Sequence, residues 1–202
     1  MRKCFISFKK EDLAYKNYLV EQCGSNNFIN KSLGQRIDSE DGDYIMSVIR
    51  RNYLCDSTVT LYLIGEHSSE NEGYDSNGYD KNYFIKRELA ASLFNGTGNT
   101  RNGILGIVLP NMYEKIYKGT YICSACGRSH NDVSINDSTT VREFSKNYYI
   151  EPRPGCAWFE DDRYCVLVKW HDFISDPEPS IELAFSKRFS EIASKIVIRN
   201  LR

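Results

Sequence analysis

The sequence predicts an α/β fold in which helices cover both faces of a mostly parallel sheet. Strand-like runs alternate with segments of helical period along most of the chain. Two of these runs, residues 58–64 and 103–109, are rich in β-branched and apolar residues. Such runs are typical of parallel strands that are buried between helices. The alternation of strands and helices then favours a doubly wound sheet with crossover connections.

Five strands and four helices are predicted in turn. The strands are expected at residues 4–8, 35–38, 58–64, 103–109 and 164–170. The helices are expected at residues 11–23, 41–52 and 79–94, and from Pro177 to a face formed by Ile181, Phe185, Phe189, Ile192 and Ile196. Residues 23–32 and 66–78 are polar and predict loops.

The pattern of alternating elements stops between the fourth and fifth predicted strands. Residues 111–162 have no clear period and contain three cysteines and many polar residues. We therefore expect a single domain over residues 1–202 that carries an irregular insertion at residues 111–162.

Composition excludes several classes of protein. The chain has 202 residues, 26 Lys and Arg, 27 Asp and Glu, and a net charge of −1. Binding to nucleic acid requires a basic excess, so we expect no nucleic-acid partner. No apolar stretch has the length of a bilayer span, and the first ten residues lack the apolar centre of a signal peptide. We therefore expect no membrane partner, a cytoplasmic location and seven reduced cysteines.

Four segments, taken in order, carry a family resemblance. They are Cys-Phe-Ile-Ser-Phe at residues 4–8, Val-Thr-Leu-Tyr-Leu-Ile-Gly at 59–65, Phe-Ile-Lys-Arg-Glu-Leu at 84–89, and the strand at 104–109. Their order and spacing resemble a Toll/interleukin-receptor (TIR) domain, in the TIR-like variety of Thoeris-type antiphage systems. The resemblance covers residues 3–110 and 164–198 and implies a flavodoxin-like TIR fold. Phe84 stands where the family often has Trp.

The resemblance implies an enzyme that cleaves the nicotinamide–ribose bond of NAD. NAD would be the substrate, no cofactor would be needed, and a cyclic ADP-ribose-type product would signal to a separate effector protein. Glu88, four residues after Phe84 and on the same helical stripe, would be the catalytic carboxylate. One carboxylate beside the ribose can stabilise an oxocarbenium-like state. From the residues alone, the alternative is a solvated glutamate on a helix surface.

Other functions of a TIR-like domain stay open. One alternative is a non-catalytic TIR interaction module, and another is an enzyme similar to nucleoside deoxyribosyltransferases, which use a glutamate on a similar sheet. Because TIR enzymes are commonly active as assemblies, the resemblance also implies self-association. The chain has neither a Gly-x-Gly-x-x-Gly motif nor a P-loop, so it should not hold NAD as a dehydrogenase does.

Residues after the first two predicted strands are candidates for substrate binding, because ligands lie outside the carboxyl ends of such strands. Phe8 could stack on a base or on nicotinamide, and Lys9 could meet a pyrophosphate. The alternative for Lys9 is a solvated side chain. Asp38 and Ser39 could form hydrogen bonds with a ribose, but we favour the alternative that they cap the following helix. Phe84 completes this set of candidates.

The predicted insertion contains one motif that is typical of metal sites. Cys123 and Cys126 form a C-x-x-C-G turn, the kind that presents two thiolates to zinc. Cys156 and Cys165 could complete a site, and His130 is also available. Because the second cysteine pair is not a C-x-x-C, zinc is kept as the alternative and metal-free cysteines are expected.

Overall fold

A computed structural model describes residues 2–24, 28–31, 39, 41–76, 78–96 and 99–201. The strands are β1 (Arg2–Ser7), β2 (Phe28–Lys31), β3 (Val59–Ile64), β4 (Gly103–Val108), β5 (Tyr117–Ile122), β6 (Ser129–Val133) and β7 (Val166–Lys169). Five of them form a parallel sheet in the order β2-β1-β3-β4-β7, and β5 and β6 form an antiparallel hairpin. This confirms the predicted α/β fold with a parallel central sheet.

Seven α-helices surround the sheet in the described residues. They are α1 (Leu13–Tyr18), α2 (Gly42–Val48), α3 (Tyr83–Leu93), α4 (Tyr113–Ile116), α5 (Arg142–Tyr148), α6 (Trp170–Ser175) and α7 (Pro177–Lys187). Turns of π-helix at Leu19–Gly24 and Ile49–Leu54 continue α1 and α2. None of the helices in this part of the chain is both long and apolar enough to cross a bilayer.

The two faces of the sheet bury alternate residues of the central strands. Tyr62 and Ile64 of β3 pack against α3 and α5, whereas Leu61 and Leu63 pack on the opposite face against α1, α6 and α7. Successive side chains of a strand point to opposite faces, so β3 has to be apolar along its whole length. Every residue of β3 and β4 is buried, which explains why these two strands could be predicted from sequence.

Helix α3 is covered on more than one side. Nine of its eleven residues, Ile85 to Leu93, are buried. Ile85 and Leu89 contact the sheet, Ala90 and Ala91 pack against α2, and Phe144 of α5 lies in the same apolar cluster as Leu89. Gly106 of β4 leaves room for Phe144, because a Cβ atom there would lie 2.5 Å from the Phe144 ring. A residue on α3 is therefore buried even where it does not face the sheet.

The structure corrects four expectations about individual elements. The second strand is Phe28–Lys31, within a segment that we predicted to be loop, and residues 35–38 lie outside the described residues. The last strand ends at Lys169, and Trp170 already begins α6. The last helix ends at Lys187 and is followed by a separate 3-10 turn. Phe189 therefore does not belong to the helical face that we predicted, and it is 72% exposed. Residues 111–162 are also more regular than expected, because they contain α4, the β5–β6 hairpin and α5.

Candidate active site

The order of the strands places a crevice at the carboxyl ends of β1 and β3. The chain passes from β1 to β2 on one side of the sheet and then returns to β3 on the other side of β1. Ligands bind at such a reversal point in open α/β sheets. A cavity of about 360 Å³ opens there. It is lined by Lys9, Glu11, His67, Glu72, Asp75, Tyr79, Asp80, Lys81, Tyr83 and Phe84.

Glu88 is buried one helical turn beyond the cavity residue Phe84 on α3, and it is not itself among the residues that line the cavity. Only 6% of the residue is exposed, and the Ser7 hydroxyl at the end of β1 donates a hydrogen bond of 2.6 Å to its Oε2. Burial raises the pKa of Glu88 to about 8, and the hydrogen bond from Ser7 opposes this shift. The burial rules out our alternative of a solvated glutamate on a helix surface.

The two basic residues before Glu88 do not neutralise it. Lys86 forms ion pairs with Asp80 and with Glu70, the latter at 3.3 Å. The Arg87 guanidinium lies 3.5 Å from the centre of the Tyr83 ring. Among the described residues, no cation forms a salt bridge with Glu88. A carboxyl that is desolvated without a partner charge is typical of functional sites.

The structure brings some of the predicted substrate-binding residues together. Phe84 is half-buried and lines the cavity, with its ring 5.3 Å from that of Tyr83. Lys9 also lines the cavity, and its ammonium donates a hydrogen bond of 2.6 Å to the carbonyl of Lys81. That bond positions the charge of Lys9 at the cavity wall beside the start of α3.

Phe8 and Ser39 are not among the residues that line the cavity. Phe8 packs against the apolar cluster on the α1 side of the sheet. The Ser39 hydroxyl accepts a hydrogen bond from the backbone of Asp41, whose own carboxylate caps α2 through Tyr44. Ser39 therefore makes a local turn contact, and the capping residue is Asp41. Asp38 lies outside the described residues.

The loop after β3 and the start of α3 supply further cavity residues, which our set of substrate-binding candidates did not include. His67 Nδ1 lies 2.6 Å from Glu72 Oε1, and this hydrogen bond raises the pKa of His67. The Asn82 side-chain amide donates to the carbonyls of His67 and Ser69 and so ties the loop to the start of α3. Tyr79 and Tyr83 add aromatic surface. These residues have no periodic pattern, so only their place after a strand could have indicated them.

Asp12 is a second buried carboxylate at the same edge of the sheet. It is 5% exposed, and its Oδ2 has no hydrogen-bond partner among the residues that the structure describes. Burial and the neighbouring charge of Glu11 raise its pKa to about 6. Gly65 directly follows β3 and leaves space for this carboxylate, since a Cβ atom there would lie 2.3 Å from Oδ2. Two carboxyl groups with raised pKa values thus lie near the ends of β1 and β3.

The predicted zinc ligands divide into two groups. Cys123, Cys126 and Cys156 lie together in the insertion with His130. Cys165 is fully buried next to β7, in the apolar cluster beneath α3 and α5. The structure therefore separates Cys165 from the other three cysteines.

Fold and site together define a doubly wound α/β domain with a cavity at its reversal point. The helix that follows the central strand carries a buried carboxyl that forms no salt bridge within the described residues. A family model described as the TIR-like domain of the Thoeris protein ThsB matches residues 5–113, more than half of the chain. The chain therefore belongs to the Thoeris ThsB family of TIR-like domains. This membership supports a role in antiphage defence.

The matched range contains the cavity and Glu88, whereas the β5–β6 hairpin and the cysteine cluster lie beyond it. A search of curated proteins finds no significant match.

Proposed function

We propose that this TIR-like domain is an enzyme that cleaves the bond between nicotinamide and ribose in NAD. The observation that carries the proposal is the buried Glu88, held by Ser7 at the carboxyl ends of the central strands, one helical turn from the aromatic wall of the cavity. This combination of a carboxyl with a raised pKa and an adjacent cavity is what a glycosidic cleavage requires.

Binding of NAD would convert Glu88 to its active form. With a pKa of about 8, the carboxyl is mostly protonated at neutral pH. The nicotinamide ring of NAD carries a positive charge, and a positive charge nearby favours the carboxylate. The substrate therefore lowers the pKa of the group that it needs. The carboxylate then lies ready for the positive charge that develops on the ribose.

The bond cleavage itself needs no second acid. The C1′–N bond breaks, its electron pair leaves with nicotinamide as a neutral base, and the ribose becomes an oxocarbenium-like cation. Glu88 stabilises this cation electrostatically. Water then adds to C1′ and releases a proton to give ADP-ribose, or a nucleophile of the same ADP-ribose unit adds to give a cyclic product. We propose the cyclic product, which a separate effector protein would sense.

The cavity supports a nucleotide ligand. Tyr79, Tyr83 and Phe84 offer aromatic faces for stacking, and Lys9 offers a positive charge for a phosphate. A volume of about 360 Å³ is near the lower end for a drug-sized ligand, whereas NAD consists of two nucleotides. We therefore also propose that a second copy of the chain completes the site for the other nucleotide.

The test is nicotinamide release from NAD by the purified protein, measured by chromatography with and without lysate from phage-infected cells. We expect Glu88→Gln to reduce the rate at least about 100-fold, or about 2.7 kcal/mol of barrier. Glu178→Gln, on the exposed first turn of α7, is the matched control and should retain full activity.

The products separate the alternatives. Mass spectrometry of the product distinguishes linear from cyclic ADP-ribose. Absence of any nicotinamide release under both conditions would favour an interaction module, and exchange of bases between deoxynucleosides would favour a transferase.

A further inference from the structure

We propose that Cys123, Cys126, His130 and Cys156 form a structural zinc site that fastens the β5–β6 hairpin to the rest of the insertion. The four side chains come from three separate places: the end of β5 and the turn after it, the strand β6, and the segment that follows α5. Their ligand atoms all lie within 4.8 Å of one another. Three thiols and an imidazole are a common ligand set for structural zinc.

The distances fit one tetrahedral ion. His130 Nε2 lies 3.2 Å from the Cys126 sulfur and 3.4 Å from the Cys156 sulfur. With Zn–S bonds of about 2.3 Å and Zn–N bonds of about 2.0–2.1 Å, tetrahedral geometry separates sulfur from nitrogen by about 3.6 Å. For these two pairs, movements of a few tenths of an ångström would therefore reach the tetrahedral separation.

The turn between the first two cysteines has the backbone of a metal-binding knuckle. The amide of Gly127 donates to the carbonyl of Cys123 at 2.8 Å, and the amide of Cys123 donates to the carbonyl of Arg128 at 2.9 Å. Gly127 has a φ of +69°, which L-residues with a side chain rarely adopt. Backbone hydrogen bonds thus close this turn, and its two sulfurs lie within 4.8 Å of each other.

The hairpin side chains that pack on the core, Tyr117 and Val133, lie at its base. Every residue of β5 after Tyr117 is exposed, including Tyr121 at 44% and Ile122 at 73%. An isolated two-stranded hairpin is marginally stable in water. The segment with Cys156 is anchored independently, because Trp158 donates to the carbonyl of Ile150 and packs on Tyr149. A metal that joins His130 to Cys156 therefore ties an exposed hairpin to an anchored segment.

All four positions around the ion would be protein ligands, so none is open for a substrate or water. The site is accordingly structural rather than catalytic. It is independent of the proposed NAD cleavage, and its test does not use that activity. The fourth ligand is His130 and not Cys165, because Cys165 is buried elsewhere in the fold.

The first measurement is the metal content of the wild-type protein, purified under reducing conditions and exposed to Zn²⁺ before exhaustive dialysis. We expect about one zinc per chain. X-ray absorption should give a shell of three sulfurs at about 2.3 Å and one nitrogen at about 2.0–2.1 Å. Fewer than roughly 0.1 zinc per chain, or a shell dominated by oxygen, would overturn the proposal.

Variants identify the ligands. Cys126→Ser, His130→Ala and Cys156→Ser should each reduce the zinc content to roughly a tenth or less. Cys55→Ser changes an exposed cysteine outside the cluster and should leave one zinc per chain. Cys165→Ala should also retain the metal. Zinc loss in the Cys55 control, or a four-sulfur shell in the wild type, would contradict the assignment, and the wild-type spectrum decides even if a variant fails to fold.

Discussion

Replacement of Glu88 by Gln should change how the stability of the folded protein depends on pH. Glu88 is buried, it forms no salt bridge with any cation among the described residues, and it accepts a hydrogen bond from the hydroxyl of Ser7. A Gln side chain keeps the shape, and its carbonyl oxygen can still accept the hydrogen bond from Ser7. The substitution therefore removes the ionisation of the group while it retains most of the packing.

The expected magnitude follows from the two pKa values of Glu88. Its pKa is about 8 in the folded chain, against the usual value of 4.5. Between these values the folded state holds a proton that the unfolded state releases, so stability falls as pH rises. Each pH unit is worth about 1.4 kcal/mol, which gives a loss of roughly 4 kcal/mol between pH 4.5 and pH 8. The Glu88→Gln variant has no ionisable group at this position, so its stability should not fall for this reason as pH rises.

Urea denaturation of the wild type and of Glu88→Gln at several pH values between 5 and 8 measures this effect. The difference in unfolding free energy should shift in favour of the variant by several kcal/mol over the window. Any effect of the amide itself on stability is the same at each pH, so it does not change how the difference in unfolding free energy varies with pH. Glu178→Gln serves again as the control. Parallel pH profiles for wild type and Glu88→Gln would refute the assignment of a buried, neutral carboxyl.

Three further predictions concern the cavity wall, the buried ion pairs and assembly. Phe84→Ala should raise the KM for NAD up to about tenfold through lost stacking, while Phe84→Trp should retain binding, and steady-state kinetics on both will check this. Arg199→Ala leaves Glu70 and Glu143 without the cation that they share at 2.7 and 2.8 Å, so we expect a loss of about 3 kcal/mol and roughly 6–12 °C in melting temperature. Arg142→Ala, which removes an exposed ion pair, should melt almost as the wild type does. Activity per chain should rise with protein concentration, and constant activity on dilution with a monomeric mass by light scattering would rule out a shared site.

The buried strands could be predicted from sequence because burial on both faces leaves a continuous apolar pattern. The predicted bounds of β3 and β4 differ from the observed ones by a single residue at one end. The strand β2 could not be predicted in the same way. It is a four-residue strand whose partner in the described sheet is β1, so its formation depends on a neighbour that is distant in the chain.

The candidate site also has features that could be predicted from sequence and features that could not. The order of strands indicated where a crevice would lie, and the family resemblance indicated Glu88. The apolar stripe of Ile85 and Leu89 next to Glu88 indicated partial desolvation, but the extent of its burial depends on α2 and α5 packing around α3 from distant parts of the chain. The partners of the Cys123–Cys126 turn pose a similar problem. Spacing alone could not choose between His130 and Cys165, and folding places only His130 beside the three sulfurs.

The buried ion pairs connect the insertion to the cavity loop. Glu70 lies in the loop after β3, three residues beyond the cavity residue His67, and Glu143 lies on α5 of the insertion. Arg199 joins both carboxylates, and Lys86 of α3 contacts the same oxygen of Glu70 as Arg199 does. Because Glu143 is held in α5, the position of the cavity loop depends on how the insertion packs. The insertion is thus coupled to the wall of the candidate active site even though none of its residues lines the cavity.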